Sequence, residues 1–439
     1  MGQKVLIITY YWPPAGGPGV QRILKFARYL YEFGWEPVIL TTSNGTFPSR
    51  DETLQSDVPD NISVYRTKTF EPFALYNKLK GVKGKEMSTG LIGLQHPSRL
   101  QKFSNYIRAN YFIPDARKGW NISALKKARE IIHKHHIKAI ITTGPPHSTH
   151  LIGRKLKSTY QLPWVADFRD PWTNVFYNHY FPRTSRTKAK DLKLESAVLR
   201  EADAITVISN GLKNEYTSRA RETIVLYNGF DEKDLKPRLN QKTEKFTLHY
   251  IGSFKPNQNV PALWKALEEL FHEGIIHPDN FEVRLTGKLD PGVHHHLTTS
   301  VISPLIHAEG YVPHHIATQK MQESGLLLFI IPKERDNHLI ITGKLFEYMA
   351  SLTPLLSIGP TGGDAAEIIQ KSGRDAMSDY EDKDTIKSNI LHYFDHWKTH
   401  QQVPYHHQFD HILEQFSRKQ LTKSLAELLD RITDTSHEH

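Results

Sequence analysis

Five short stretches of this chain hold residue types suited to gripping an anion. TTGPPHSTH, Thr142 to His150, sets His147, Ser148 and Thr149 behind a stiff proline pair, and WVADFRDPW, Trp164 to Trp172, crowds Asp167, Arg169 and Asp170 ahead of a proline. YIGSFKPNQN, Tyr250 to Asn259, offers Gly252, Ser253 and Lys255; TGKLFEYMASLTP, Thr342 to Pro354, opens on Thr342, Gly343 and Lys344, with Glu347 one turn later. Earliest in the chain, YYWPPAGGPGVQR carries Gly16 and Gly17. Glycine lets a backbone approach a ligand, and a helix start presents N–H groups and a positive dipole end, so such joints often cradle phosphate. Lys255 or Lys344 could face a diphosphate, and Glu347 could accept hydrogen bonds from two ribose hydroxyls.

Blander readings stand beside each of these. The first loop matches neither G-x-G-x-x-G nor the P-loop pattern and could be a plain turn. His147 could be a surface or cap residue, or an imidazole opening the next helix toward a ligand. Asp167, Arg169 and Asp170 could pair with one another and brace a loop; alternatively Asp170 takes a substrate hydroxyl while Arg169 holds a carboxylate or phosphate. Lys344 and Glu347 could form a routine i, i+3 ion pair.

The elements that must position these residues alternate. Strands are predicted at Val5–Thr9, Pro37–Thr41, Ser63–Arg66, Ala139–Thr142, Trp164–Phe168, Ala204–Ile208 and Thr223–Leu226, then at Thr247–Gly252, Glu282–Thr286, Leu326–Ile331 and Pro354–Ile358. Helical patterns, such as Gln21–Phe33 and Val260–Phe271, separate most of them. That alternation predicts an α/β protein of two Rossmann-like doubly wound domains, with ligands beyond the carboxyl ends of the strands and a cleft between the domains. The polar, breaker-rich segment Tyr227–Lys245 places the junction, giving domains 1–235 and 236–408, with an amphipathic helix in 409–439.

Composition narrows the classes. The chain has 439 residues, a formal net charge of +9 and no cysteine, which excludes disulfides, thiolate metal sites and a cysteine nucleophile. MGQKVLIITYYW lacks the apolar core of a signal peptide and no window is apolar enough to span a bilayer, so a cytoplasmic location is expected. Between Thr67 and Lys118 basic residues far outnumber acidic ones and alternate with aromatics. Such a stretch can rest on an anionic membrane surface, accept a charged lipid-linked substrate, or be an exposed helical insertion; no nucleic-acid partner is expected. Asp382 and Asp384 spell D-x-D, yet in a polar helix start far along the second domain, and the abundant histidines follow no metal-ligand spacing, so no metal site is expected.

The loop PPAGGPGVQR, the segments VISNGLK (Val207 to Lys213), LYNGFD (Leu226 to Asp231), YIGSF and EGYVPHH (Glu309 to His315), and above all GKLFEYMASLTPLLSIG together resemble a family 4 glycosyltransferase with the GT-B fold. GPPHSTH and DFRDPW resemble a bacterial branch that builds cell-surface polysaccharides. The resemblance implies a donor nucleotide-diphosphate sugar, a saccharide or lipid-linked acceptor, retention of anomeric configuration and no metal or other cofactor. It implies a donor site of Gly16, Gly17, Gly252, Ser253, Lys255, Thr342, Gly343, Lys344 and Glu347, with Glu347 as the second glutamate of the family's E-x7-E motif. His147, Arg169, Asp170 and Lys255 are the expected catalytic residues. The first glutamate of that motif falls at Leu339, a departure from the family pattern, and Glu334 and Asp336 lie too early to replace it. Two further readings therefore stay open: a nucleotide-sugar epimerase or hydrolase of the same fold, and a non-catalytic nucleotide-sugar-binding protein.

Overall fold

Runs of Val, Ile and Leu buried on both faces need cover from both sides, and parallel sheets flanked by helices provide it. A computed structural model of the chain describes residues 2–47, 49–70, 99–175, 178, 181–234, 243–402 and 410–434. Much of the basic, aromatic stretch expected between Thr67 and Lys118, and of the junction Tyr227–Lys245, lies outside the described residues. Two units are present, one of residues 1–228 with 418–439 and the other of residues 229–417.

The first unit holds a seven-stranded parallel sheet: β1 Gln3–Ile8, β2 Trp35–Thr42, β3 Ser63–Thr67, β4 Ala139–Gly144, β5 Trp164–Phe168, β6 Ala204–Val207 and β7 Thr223–Val225. Their order is β3-β2-β1-β4-β5-β6-β7. Ile7 of β1 pairs with Ile39 on one side and Ile141 on the other, which sets the register at the centre of the sheet. The second unit holds β8 Phe246–Ile251, β9 Phe281–Thr286, β10 Ile306–Glu309, β11 Leu326–Ile330 and β12 Leu355–Ile358, ordered β10-β9-β8-β11-β12. Both are doubly wound: the chain leaves the middle in one direction, then returns to extend the other side. The reversal falls between β1 and β4 in one unit and between β8 and β11 in the other, and in open sheets that is where ligands bind.

Most expected strands lie within two residues of their predicted bounds, and β10 is an addition. Its sequence, IHAE, is short, polar at alternate positions and confined to a sheet edge, so it gives little periodic signal. The helix predicted from Gln21 begins earlier, at Pro18, because Gly17 at φ 107° serves as its N-cap and Pro18 fits the first turn. The amphipathic helix predicted from Phe409 is two helices, Asp410–Glu414 and Arg418–Asp434. The second contributes Leu421, Leu425, Leu428 and Leu429 to the same core as Ile23, Leu24 and Ala27 of the Pro18–Tyr29 helix.

One buried ion pair fastens the first unit beneath its ligand edge. Arg22 donates from Nη2 to Asp167 Oδ1 at 3.0 Å, with side-chain exposures of 1% and 3%, and from Nη1 to the Tyr227 carbonyl. Thr206 Oγ1 donates to Asp167 Oδ1 at 2.7 Å and Thr143 Oγ1 to Oδ2 at 2.8 Å. Asp167 is thus joined to β4, β6 and the Pro18 helix, which brings the cation hydrogen-bonded to it; Arg169 adds an electrostatic attraction from the adjacent loop. Burial alone would raise the Asp167 carboxyl, but the Arg22 charge and the hydrogen bonds from Arg22 and Thr206 hold it below its ordinary value.

Arg22→Met should therefore lower unfolding free energy by about 3–5 kcal/mol, since it strands a buried carboxylate. The native carboxyl titrates below the unfolded one, so its contribution is present above the unfolded value of about 4 and is lost as pH falls through the lower native value. Urea titrations at several pH values check both: a smaller deficit in the variant at acidic pH is expected.

Candidate functional site

The reversal point of the second unit gathers three of the quoted segments, YIGSFKPNQN, TGKLFEYMASLTP and EGYVPHH. β8 ends at Ile251, and Gly252 turns the chain at φ 126°, a value few residues other than glycine adopt. A Cβ there would lie 2.4 Å from Lys344 Cε and 2.5 Å from Nζ, so the bare Cα is what lets the lysine lie across the loop. Lys344 Nζ donates to Tyr250 Oη at 2.7 Å and sits 4.2 Å from the centre of that ring. The Tyr250 hydroxyl in turn donates a hydrogen bond to the Ser253 carbonyl at 2.9 Å. Burial, with a contribution from Lys255, pushes the Lys344 ammonium down to about 7, while Glu347 opposes the shift.

Thr342 caps the helix Gly343–Ala350 by position, but no side-chain cap bond forms and its buried Oγ1 has no partner. Five residues on, Glu347 Oε1 lies 3.1 Å from Nε2 of His314, the first residue of the helix that follows EGYVP. Lys255 is exposed at the start of a 3-10 turn, Pro256–Gln258, with its backbone N–H donated to Gln258 Oε1 at 3.1 Å. The structure thus brings together Gly252, Ser253, Lys255, Thr342, Gly343, Lys344 and Glu347 at one sheet edge, and adds Tyr250 and His314. Both additions lay inside quoted motifs, YIGSF and EGYVPHH, so the signal was present without a role attached. Leu339 ends a 3-10 turn at Asn337–Leu339 and is partly buried, while Glu334 accepts a hydrogen bond from Asn257 Nδ2 at 2.7 Å.

The first unit builds a different edge. Gly16 and Gly17 lead into the Pro18 helix, which has no acidic residue in its first turn and no side-chain cap. The Arg169 guanidinium packs across that helix start; a side chain at Gly19 would bring Cβ within 1.4 Å of Nη1. Arg169 also donates from Nη2 to the Pro145 carbonyl, which ties the loop after β5 to the loop after β4. Asp170 follows, its carboxyl pushed up to about 6 by burial against the opposing pull of Arg169.

His147, Ser148 and Thr149 do not present themselves as expected. Ser148 and Thr149 are buried; Ser148 Oγ and N–H both donate to Asp115, at 2.8 Å each, so Asp115 caps the helix Ser148–Tyr160 from another segment. His147 is 6% exposed and stacks on Trp172 with ring centres 5.1 Å apart and 7° between planes; burial pushes its pKa down to about 3. Trp172 is itself fixed: its indole donates to Asp191 at 2.8 Å, its N–H goes to Tyr216 Oη at 3.0 Å, and Tyr216 donates on to Glu195 at 3.1 Å. Among the described residues no three His, Asp or Glu side chains converge as metal ligands, and Asp382 is the cap of the helix Lys383–His400, accepting from Thr385 N–H at 3.0 Å.

Comparison with known proteins gives this geometry a class. Residues 91–234 match the model of the family described as Glycosyltransferase Family 4. Solved structures similar over nearly the whole chain include α,α-trehalose 6-phosphate synthase from Burkholderia multivorans, at 10% identity and a TM-score of 0.62, covering 100% of this chain and 98% of that one. WaaG, a glycosyltransferase involved in lipopolysaccharide biosynthesis, is similar at 12% identity and TM-score 0.54 (97% and 99% covered), and a variant of TarM from S. aureus at 9% and 0.55 (99% and 98% covered). No protein of curated function matches the sequence. The fold is the GT-B fold that these glycosyltransferase structures share. More particularly, residues 91–234, about a third of the chain, are similar to the family 4 model, and that range includes GPPHSTH, DFRDPW, VISNGLK and LYNGFD.

Lys344 should titrate near neutrality. Amine-reactive labelling read by peptide mass should half-saturate at Lys344 near pH 7, well below exposed lysines at about 10.4, and a nucleotide diphosphate should shift its midpoint upward by favouring the ammonium. A midpoint like that of the other lysines would contradict the packing over Gly252.

Proposed function

We propose that this protein is a retaining glycosyltransferase that moves a sugar from a nucleotide-diphosphate donor to a saccharide or lipid-linked acceptor in cell-surface polysaccharide synthesis. The observation that carries the reading is the cluster at the β8–β11 reversal: a half-buried lysine on Tyr250 and Gly252, an unsatisfied helix start at Thr342, and Glu347 beside His314. Helix-start N–H groups and Lys344 suit a diphosphate; a carboxylate one turn on suits the paired hydroxyls of a ribose. The S. aureus structure is described as a complex with UDP and α-GlcNAc-glycerol, and an E. coli trehalose-6-phosphate protein, TM-score 0.59, as bound to UDP-2-fluoro glucose. Those ligands support a nucleotide-sugar donor and a saccharide acceptor here.

The chemistry follows from the charges that develop. As the bond from the anomeric carbon to the diphosphate oxygen breaks, positive charge grows on the sugar and negative charge on the leaving group. Lys344, Lys255 and the Gly343 helix start would stabilise the latter, together by several kcal/mol at most. The acceptor hydroxyl then bonds to the anomeric carbon on the face the diphosphate leaves, and the departing diphosphate takes the acceptor proton. No metal or other cofactor enters this scheme. In the first unit, Asp170 would accept from a substrate hydroxyl, Arg169 with Gly16 and Gly17 would hold an anionic group, and His147 would contact substrate beside Trp172. Leu339 favours a second reading, a nucleotide-sugar-binding protein without turnover, because the apolar side chain cannot accept a sugar hydroxyl.

A peripheral position on an anionic membrane, at the cytoplasmic face, suits a lipid-linked acceptor. Phe70, Tyr111 and Ile122 are 66%, 69% and 82% exposed. Lys118 bonds to the Tyr111 carbonyl at 2.6 Å and Gly119 abuts Phe70, so the apolar side chains flank a cation, as at a membrane interface. Among the described residues no helix is long and apolar enough to cross a membrane.

Screening UDP-, GDP- and dTDP-sugars by thermal shift and nucleotide release tests the main reading. Product should form when acceptor is present; a new sugar nucleotide without acceptor would indicate an epimerase, released sugar a hydrolase, and affinity without turnover the binding protein. Glu347→Ala should weaken donor binding by about tenfold or more and leave acceptor binding nearly unchanged; equal loss of both would remove Glu347 from the donor site. Turnover should fall as pH drops through about 6, where Asp170 gains a proton, and Asp170→Asn should abolish that limb of the profile.

A further inference from the structure

Two helices of the second unit, His314–Glu323 and Gly343–Ala350, are tied to each other at two places. Just past the end of the second, Thr353 Oγ1 donates to the Met321 carbonyl at 2.8 Å, both residues being buried. Nearer the ligand edge, His314 Nε2 lies 3.1 Å from Glu347 Oε1. The chain entering the first helix is braced as well. Lys320 Nζ reaches back to Glu309 Oε2 at 2.8 Å, and Thr286 Oγ1 donates to the same oxygen at 2.8 Å, so an ion pair spans the turn from β10 to His314.

Glu347 has a cation closer in sequence. Lys344 precedes it by three residues on the same helix, the spacing of a routine ion pair, yet Lys344 Nζ turns across Gly252 and donates to Tyr250 Oη at 2.7 Å. The carboxylate acts on that lysine through its charge, favouring the ammonium, while burial and Lys255 disfavour it. A carboxylate can only accept, so the His314 ring carries a proton on Nε2. The last torsion of a glutamate has a broad minimum, and the bond from His314 is therefore what turns Oε1 to one side.

We propose that His314 is a positioning residue: by donating from Nε2 to Glu347 it keeps the carboxylate off Lys344, so that carboxylate and cation meet different parts of one nucleotide. The proposal rests on the donor-site reading above for which parts those are, ribose hydroxyls and diphosphate, though the separation of the two charges does not. A carboxylate seated on Lys344 would neutralise the cation that a diphosphate needs and occupy the oxygens that a ribose needs. An imidazole can donate this bond in its neutral form, so it orients Glu347 without cancelling the carboxylate charge.

Two measurements on the full chain test this. Amine-reactive labelling of Lys344 should half-saturate near pH 7 in the wild type and in His314→Gln, whose amide can donate in place of the imidazole, but at about pH 8 or above in His314→Ala, where Glu347 turns to the lysine. Adding Glu347→Ala to His314→Ala should return the midpoint to about 7 or below. A midpoint that His314→Ala leaves unmoved would overturn the proposal, as would a rise that persists in the double variant, since that rise would come from exposure of Lys344. His314→Leu keeps the volume without the donor, should match His314→Ala, and decides the matter if the alanine chain fails to fold. The second measurement compares UDP and GDP with their 2′-deoxy forms by calorimetry. The tighter-binding ribonucleotide should be preferred over its deoxy form by about tenfold in the wild type and in His314→Gln, and by about twofold or less in His314→Ala. A glutamine variant that behaves as alanine in both measurements would also overturn the proposal. Equal affinity for the two forms in the wild type, with the labelling as expected, would count against the donor reading of Glu347 alone.

Discussion

A single buried carboxylate organises the ligand edge of the first unit. Asp167 lies on β5 with Arg22, Thr143 and Thr206 around it, reaching the Pro18 helix, β4 and β6. Two charges so deeply buried cost desolvation energy that a hydrophobic pair would not, and the return is directional. The guanidinium fork and the two carboxylate oxygens accept one arrangement of helix and strands, and that arrangement puts the Gly16–Gly17 loop, the proline loop after β4 and the Arg169–Asp170 turn side by side. Arg169 lies over Gly19, within electrostatic reach of Asp167.

The second unit solves a similar problem with the opposite economy. Its cation, Lys344, is not paired deep in the sheet but rests on the face of Tyr250 and donates to the phenol. That contact leaves the amine weakly satisfied and lowers its pKa, since a ring face and a hydroxyl replace only part of the lost hydration. A site held in this state gains more from an arriving diphosphate than one whose lysine is already neutralised by a carboxylate. Glu347, one turn along the same helix, is turned to His314, so the two charged groups of the motif meet different neighbours.

Loops at the first edge are stiffened by aromatic stacking as well as by the Arg169 and Asp115 hydrogen bonds. His147 and His150 lie on Trp172 and Phe168, and Trp172 is anchored to Asp191 and Tyr216 below. Small residues, Gly144 and Gly153, mark where these rings need space.

The sequence by itself determined the two doubly wound sheets, because strands buried on both faces read as apolar runs and glycine or proline marks their ends; it also determined the helix start at Thr342 to Glu347, because that stretch is contiguous. It did not reveal β10, whose edge position leaves it no apolar signature, nor the break at residues 415–417 in an apparently continuous amphipathic helix. Tertiary structure alone decided the partners. Asp167 chose Arg22 across 145 residues, and Ser148 chose Asp115 across 33. Tyr250 found Lys344 across 94. Periodicity records which face of an element is buried, but it holds no information on which two buried polar groups will meet. That depends on how strands order themselves in the sheet, and the order is fixed only when the whole core packs.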